Sequence, residues 1–207
     1  HHPHYVKVKA IERYVESGAG LTRQLLGFAR GGKYEVKITK LDELVRRTAR
    51  MFGRTKKEIR IHTGGLAGVR PVEVDQSQIE QVLLNILVNA WHAMPGGGEI
   101  FLKTANVDIG ATVVRPYRIE PGPYVCMSIT DTGIGMDQAT QQRIFEPFFT
   151  TKEMGRGTGL GLASAYGIIK NHGGFIEAES APGEGATFRI YLPASGKAVL
   201  EEEESVT

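Results

Sequence analysis

Hydrophobic positions early in the chain recur at Ile11, Tyr14, Gly18, Leu21, Leu25 and Phe28, a 3,4,3,4,3 spacing closed by Arg30-Gly31-Gly32. That is the seam of a coiled-coil-like helix, too short to stand alone and in want of a partner the chain does not obviously contain. A second helical face runs through Leu41, Leu44, Val45, Ala49 and Met51 to Gly53. A third and stronger one spans 75–94. Asp75 or Ser77 is its N-cap, Ile79, Val82, Leu83, Ile86, Leu87 and Ala90 point inward, and Pro95-Gly96-Gly97-Gly98 stops it. Strand-like alternation occupies 58–62, 72–74, 99–107 and 124–130, with a polar loop between the last two. Helices over 137–145 and 160–172 flank a stretch, 150–158, without apolar periodicity. Segments 174–180 and 186–192, joined by Ala181-Pro182-Gly183-Glu184-Gly185, read as a hairpin. Strands and helices mixed without a clean βαβ repeat predict an α+β fold, a two-layer α/β sandwich.

Composition narrows the picture. A length of 207 residues is one full domain plus an appendage at roughly 150 residues per domain. The division expected is an appendage over 1–34, a compact domain over 35–195 and an acidic, solvated tail over 196–207. With 25 Lys+Arg against 23 Asp+Glu, a net charge of +2 excludes nucleic-acid coating by bulk charge. The basic cluster Arg46, Arg47, Arg50, Arg54, Lys56, Lys57 and Arg60 is read as a solvated face, because only Phe52 interleaves for base stacking. The lone Cys126 makes no internal disulfide, and no run approaches the roughly 18 apolar residues of a membrane span, so a cytoplasmic location is expected. His1-His2-Pro3-His4 carries no signal-peptide pattern.

Twenty-six glycines crowd into 96–98, 133–135, 155–161 and 173–185, where backbone must turn tightly or approach a ligand. Four stretches carry candidate chemistry. Asn85 and Asn89, four apart, share one helix face and are either surface amides or an oxygen ledge for Mg²⁺ and phosphates. Asp131-Thr132-Gly133-Ile134-Gly135-Met136 follows an apolar strand. It is either a turn or a carboxylate that accepts from a ligand amino group beneath closing glycines. Gly155-Arg156-Gly157-Thr158-Gly159-Leu160-Gly161-Leu162 runs into a helix start, an anion-binding end, yet it has neither the Walker nor the dinucleotide spacing. Ile144-Phe145-Glu146-Pro147-Phe148-Phe149-Thr150-Thr151-Lys152 is either core or the base of a lid over 150–158 with Lys152 and Arg156 as its cations.

Taken in order, Asn85-x-x-x-Asn89-Ala90, Asp131-x-Gly133-x-Gly135-Met136, Phe145-Glu146-Pro147-Phe148-Phe149, Gly157-x-Gly159-Leu160-Gly161-Leu162 and Gly183-x-Gly185-Ala186-Thr187-Phe188 resemble the N, first glycine, F, second glycine and third glycine boxes of bacterial sensor histidine kinases of the hybrid or nitrogen-regulator-like type. The likeness covers about 41–193. Its Phe-Glu-Pro-Phe-Phe run sets it apart from the gyrase, MutL and chaperone ATPases of the same superfamily. The resemblance implies the Bergerat ATP-binding fold, with ATP and Mg²⁺ as cofactors. It implies Mg²⁺ on Asn89, phosphates beside Asn85 and on Gly157, Thr158, Gly159, Leu160 and Gly161, and adenine on Asp131 with Gly133 and Gly135 shaping the base pocket. By the same resemblance Thr187 would line the adenine end, and His92, three residues past Asn89, either reaches phosphate or lies on the surface.

In related ATPases a Glu four residues before the Mg²⁺-binding Asn activates water. Here that position is Asn85, which cannot act as a general base, so fast hydrolysis is not expected and phosphoryl transfer to a histidine is. The histidine box of the family is missing. His1, His2 and His4 lack its acidic and apolar pattern, and about 5–31 resemble only the second dimerisation helix. The expectation is a piece cut between the two helices that binds ATP but does not phosphorylate itself. Its partners would be the histidine-bearing dimerisation helix and a response regulator receiver domain, with no nucleic acid and no membrane contact. The whole protein would be cytoplasmic or membrane-associated. A regulatory nucleotide module without phosphotransfer is the rival, against which the intact Asn89, Asp131 and glycines argue. A DNA-clamp ATPase would need the Glu that Asn85 replaces and a transducer domain for which there is no length.

Overall fold

The structure, a computed structural model, describes residues 35–65, 68–110, 119–152 and 157–197. The seam at 11–28, Arg156 and the acidic run at 201–204 lie outside the described residues. The elements follow in the order β1 (Val36–Thr39), α1 (Leu41–Thr55), β2 (Ile59–Gly64), β3 (Val72–Asp75), α2 (Gln76–Ala93), β4 (Gly98–Ile109), β5 (Gly122–Asp131), α3 (Gln138–Arg143), α4 (Gly161–Asn171), β6 (Phe175–Ser180) and β7 (Ala186–Pro193).

Five strands form one sheet in the order β2-β4-β5-β7-β6, and β1 pairs with β3 in a separate two-stranded ribbon. All pairs are antiparallel except β2 with β4, which is reached through β3 and α2. This one parallel crossover is why no βαβ repeat shows in the sequence. Alternation along each strand divides the sheet. Ile100, Leu102, Val125, Met127, Ile129, Ile190 and Leu192 are buried in the main core with Ile79, Val82, Leu83, Ile86 and Leu87 of α2. The opposite parity places Tyr124, Phe175 and Tyr191 in a second small cluster with Ile109, where Phe175 and Tyr191 stack at 4.3 Å. The α+β sandwich read from the pattern is the architecture found.

Two local readings change. β1 precedes the expected start of regular structure at Leu41, because a four-residue strand is too short to show a period. On α1, the inward residue is Phe52 and not Met51: Phe52 is 6% exposed and Met51 53%. Leu41, Leu44, Val45, Thr48 and Ala49 set the buried stripe, and Phe52 continues it three residues after Ala49. At the start of α2, Asp75 is the N-cap, its carboxylate accepting from the Ser77 and Gln78 N–H groups at 2.9 and 3.2 Å. Among the described residues no helix is long and apolar enough to cross a membrane.

The reassigned face of α1 is testable by urea denaturation. Phe52→Ala should cost about 3–5 kcal/mol, whereas Met51→Ala should stay within about 0.5 kcal/mol. Equal losses would restore Met51 to the core.

Candidate functional site

A cavity of about 710 Å³ opens between α2, the end of β5, the loop after it, the segment before α4 and the start of β7. Its reference line is α2. Asn85, Asn89, His92 and Ala93 lie along one side of that helix, and Asn85 to Ala93 is a rise of about 12 Å at 1.5 Å per residue. At the Asn85 end the groups are polar. The Asn85 Nδ2–H₂ donates to the Gly161 carbonyl at 3.0 Å. The Lys152 ammonium donates to Asn89 Oδ1 at 3.3 Å and meets His92 Nδ1 at 3.0 Å.

At the Ala93 end the cavity closes on a carboxylate. Asp131 is 4% exposed and accepts from the Gly133 N–H at 2.9 Å. Burial pushes its pKa up, and the Gly133 and Ala186 N–H groups pull it partly back. The loop after it is held by side-chain and backbone bonds: Thr132 Oγ1 accepts from the Glu99 N–H at 3.1 Å, and the Met136 N–H donates to Ser180 Oγ at 2.9 Å. Ile134 N–H donates to the Ala93 carbonyl at 3.0 Å, and Gly183 N–H donates to the Ile134 carbonyl at 2.7 Å. Gly135 has φ +68°, and a Cβ there would overlap the Ala181 carbonyl oxygen, so this approach needs glycine. A bracing pair lies behind it: Gln141 Nε2 donates to the Ser180 carbonyl at 2.7 Å, and the Ser180 hydroxyl donates to the Gly185 carbonyl at 2.6 Å.

The aromatic run and the second glycine stretch are zipped together in the same way. Phe148 N–H donates to the Gly159 carbonyl at 3.0 Å, and both residues have positive φ. Phe145 and Phe149 pack against the core while Phe148 is 66% exposed, so the three aromatics divide between the two readings offered by the sequence.

The cavity brings together Asn85, Asn89, His92, Asp131, Gly135, Lys152, Gly157, Thr158, Gly159 and Gly161. Gly133 stands behind this lining, against Asp131 and Ala93. Leu160 does not face it: the side chain is 4% exposed, in the core ahead of α4. Thr187 is a correction. Alternation along β7 turns Ala186 and Phe188 to the cavity and Thr187 to the other face, where its hydroxyl hydrogen-bonds with that of Thr130 at 2.9 Å. Ala186, paired in register with Asp131, is the residue the sequence reading missed, together with the apolar lining of Met136, Ile144, Leu162 and Phe188. The alternation was visible in the sequence, but the β5–β7 register that decides which parity faces the site was not.

His92 sits at the junction of the two ends. Burial lowers its pKa, and the charges of Lys152 and Lys56 lower it further, so the imidazole is neutral at pH 7. Burial also lowers the pKa of Lys152. Among the described residues no group of three or more His, Cys, Asp or Glu side chains forms a metal cage. A cation here would rest on the Asn89 oxygen and on oxygens a ligand brings.

The model of the family described as histidine kinase-, DNA gyrase B-, and HSP90-like ATPases matches residues 74–196, which contain every cavity-lining element. The chain belongs to this family. It is an ATP-binding domain of the histidine kinase-like type. The chain is 40% identical over 193 residues to the sensor kinase CckA of Brucella abortus (strain 2308), covering 92% of this chain and 20% of that protein. With the signal transduction histidine-protein kinase AtoS of Escherichia coli (strain K12) it shares 34% over 194 residues, 93% of this chain and 29% of that one. It therefore spans under a third of the length of either relative. Among solved structures, the nucleotide-free catalytic domain of histidine kinase ThkA superposes with a TM-score of 0.60 at 30% identity, covering 77% of this chain and 96% of that one. Full-length ShkA in complex with AMPPNP gives 0.70 at 25% identity, over 94% of this chain and 40% of that one.

Two measurements follow from the charges of this ATPase domain. The folded-state pKa of Asp131 lies above its unfolded value. Its contribution to stability is therefore full below about pH 3.9 and is lost as pH rises through the folded value, so at pH 7 the ionised carboxylate is a net cost. Asp131→Asn should raise the melting temperature of the ligand-free domain at pH 7, with the gain shrinking in melts at lower pH; an unchanged or lower melting temperature at pH 7 would contradict this. Lys152→Ala should raise the His92 pKa in an NMR titration, and an unmoved titration would place the Lys152 charge elsewhere.

Proposed function

We propose that the chain is the catalytic domain of a two-component sensor histidine kinase. It binds ATP with Mg²⁺ and transfers the γ-phosphoryl group to a histidine on a dimerisation helix, from which a response regulator receiver domain takes it. The observation that carries this reading is the use made of Asn85. Its amide is spent as a donor to the Gly161 carbonyl, a bond a carboxylate cannot make, so the place where a general base would activate water is occupied by a strut. The only carboxylate lining the cavity among the described residues is Asp131, at the far end, and the His92 Nδ1 lone pair faces the Lys152 ammonium. The pocket gathers groups for phosphates and gives water no base, which suits transfer to an acceptor brought from outside.

Asp131 would accept from the adenine amino group, and the neighbouring apolar residues would hold the ring. Asn89 Oδ1 is a hard oxygen of the kind Mg²⁺ takes, and the Lys152 ammonium that donates to it supports a cation there. When bound, the metal would neutralise phosphate charge. The N–H groups of Gly157, Thr158, Gly159 and Gly161 and the Lys152 ammonium would hold the phosphates, with Arg156 offered as a second cation on sequence grounds. In the transfer, the acceptor imidazole nitrogen forms the P–N bond as the bond from the γ-phosphorus to the β,γ-bridging oxygen breaks. ADP leaves with that electron pair and the imidazole gives up its proton. A cytoplasmic location belongs to the same reading. So does the regulator: the solved relative ThkA is recorded in complex with response regulator protein TrrA.

Calorimetry with AMPPNP tests the site. A hydrogen bond to a charged group contributes about 1.5–3 kcal/mol, so Asp131→Ala should weaken binding about 10- to 150-fold. Asn89→Ala should weaken binding far more with Mg²⁺ than in EDTA. Unchanged affinity for the first, or equal losses for the second, would remove that residue from its role. Label passing from γ-labelled ATP to a separately added domain bearing a histidine helix would establish the kinase; binding without transfer would favour the regulatory module.

A further inference from the structure

A buried histidine stands outside the cavity and outside the chemistry described. His172, 8% exposed, follows the last residue of α4. Its Nε2 accepts from the Asp75 N–H at 3.0 Å, 97 residues away, and its Nδ1 lies 2.8 Å from the Ile168 carbonyl. A carbonyl only accepts and a backbone N–H only donates, so both contacts fix one neutral tautomer, protonated on Nδ1. Asp75 is the N-cap of α2, and its carboxylate is already engaged with Ser77 and Gln78.

We infer that His172 is a positioning residue that sets the register of α4 against α2 and thereby aligns the phosphate-facing start of α4 with the Asn85 and Asn89 amides. The two helices are tied at two points, Asp75 with His172 and Asn85 with Gly161, so they run antiparallel. From Asp75 to Asn85 is a rise of about 15 Å, and from Gly161 to His172 about 16.5 Å. The spans match, so a slide of α4 along its axis would break both ties together. Between them the buried residues are Ile79, Val82 and Leu83 on α2 and Ala163, Ser164, Ala165 and Ile169 on α4, apolar except for the Ser164 hydroxyl. Apolar burial is non-directional and holds the helices together without fixing their offset. The directional bonds fix it. The tie at Asn85 lines the cavity, and the tie at His172 lies outside it.

The inference rests on the ATP and Mg²⁺ reading above, and its test separates the two. In the full chain, His172→Leu removes the acceptor at similar volume, and His172→Gln restores an acceptor at the reach of Nε2. Three quantities are followed: AMPPNP affinity with Mg²⁺, the thermal melt, and the Asn85 side-chain amide resonances by NMR. His172→Leu should weaken Mg²⁺-AMPPNP binding about tenfold, the loss of one hydrogen bond, and shift the Asn85 amide signals. His172→Gln should bind within about twofold of the wild type with those signals in place. A His172→Leu chain that melts cooperatively, binds like the wild type and leaves the Asn85 signals unmoved would overturn the inference. So would a His172→Gln chain as impaired as His172→Leu. If His172→Leu does not fold, His172→Asn, which reaches Ile168 but not Asp75, takes its place with the same expectation. A wild type that binds no nucleotide would sink the functional reading alone, and the Asn85 signals would then decide the tie.

Discussion

The structure depends on one helix serving two neighbours. α2 must present an apolar stripe to the sheet and a line of amides to the cavity, and α-helical spacing allows both because Ile79, Leu83 and Leu87 fall on a different side from Asn85, Asn89 and His92. Everything in the site is measured from it. Asp75 caps its start, the Ala93 carbonyl near its end receives the loop that follows Asp131, and Asn85 in its middle receives α4. A shift of α2 would move the Asn85 and Asn89 amides, the buried carboxylate's loop and the start of α4 together.

The cavity's two ends obey opposite physical demands. Asp131 must be dry for its hydrogen bonds to matter, and dryness raises the cost of its charge. The glycines make that burial possible by letting backbone carbonyls approach where a Cβ would not fit. The other end is polar, and the one cation lining it among the described residues, Lys152, is tethered to neutral partners. Lys152 rests on a hard amide oxygen of Asn89 and on the His92 imidazole. Stability is given up at Asp131 in the ligand-free state, as functional sites commonly require.

How much of this was legible in the sequence follows from which features are local. α2 with its stop at Pro95, the Asp131 turn and the closing hairpin are periodic or glycine-marked, and all three stand where the pattern placed them. Asn85 and Asn89 were read onto one face because helix spacing alone determines it. Thr187 was misassigned because strand parity tells that alternate residues part, but only the pairing of Ala186 with Asp131 tells which set faces the cavity. Met51 falls in the stripe the sequence predicts and Phe52 in the observed one for a similar reason: at the end of a stripe, one residue of phase is 100° of rotation.

The least legible features are those joining distant positions. Nothing in the sequence marks that the His172 imidazole will accept from an N–H 97 residues earlier, since neither neighbour has an unusual pattern. The same is true of the Asn85 amide, whose chemistry was read as an absence of a base. The structure gives that absence a cause. The amide is needed as a donor to the Gly161 carbonyl, and a Glu at the same position would both lose the strut and set a carboxylate facing a carbonyl oxygen. The lack of a base at this position and the tie that aligns α4 are therefore two consequences of one side chain. Restoring a base there would be expected to disturb the site before it could activate water.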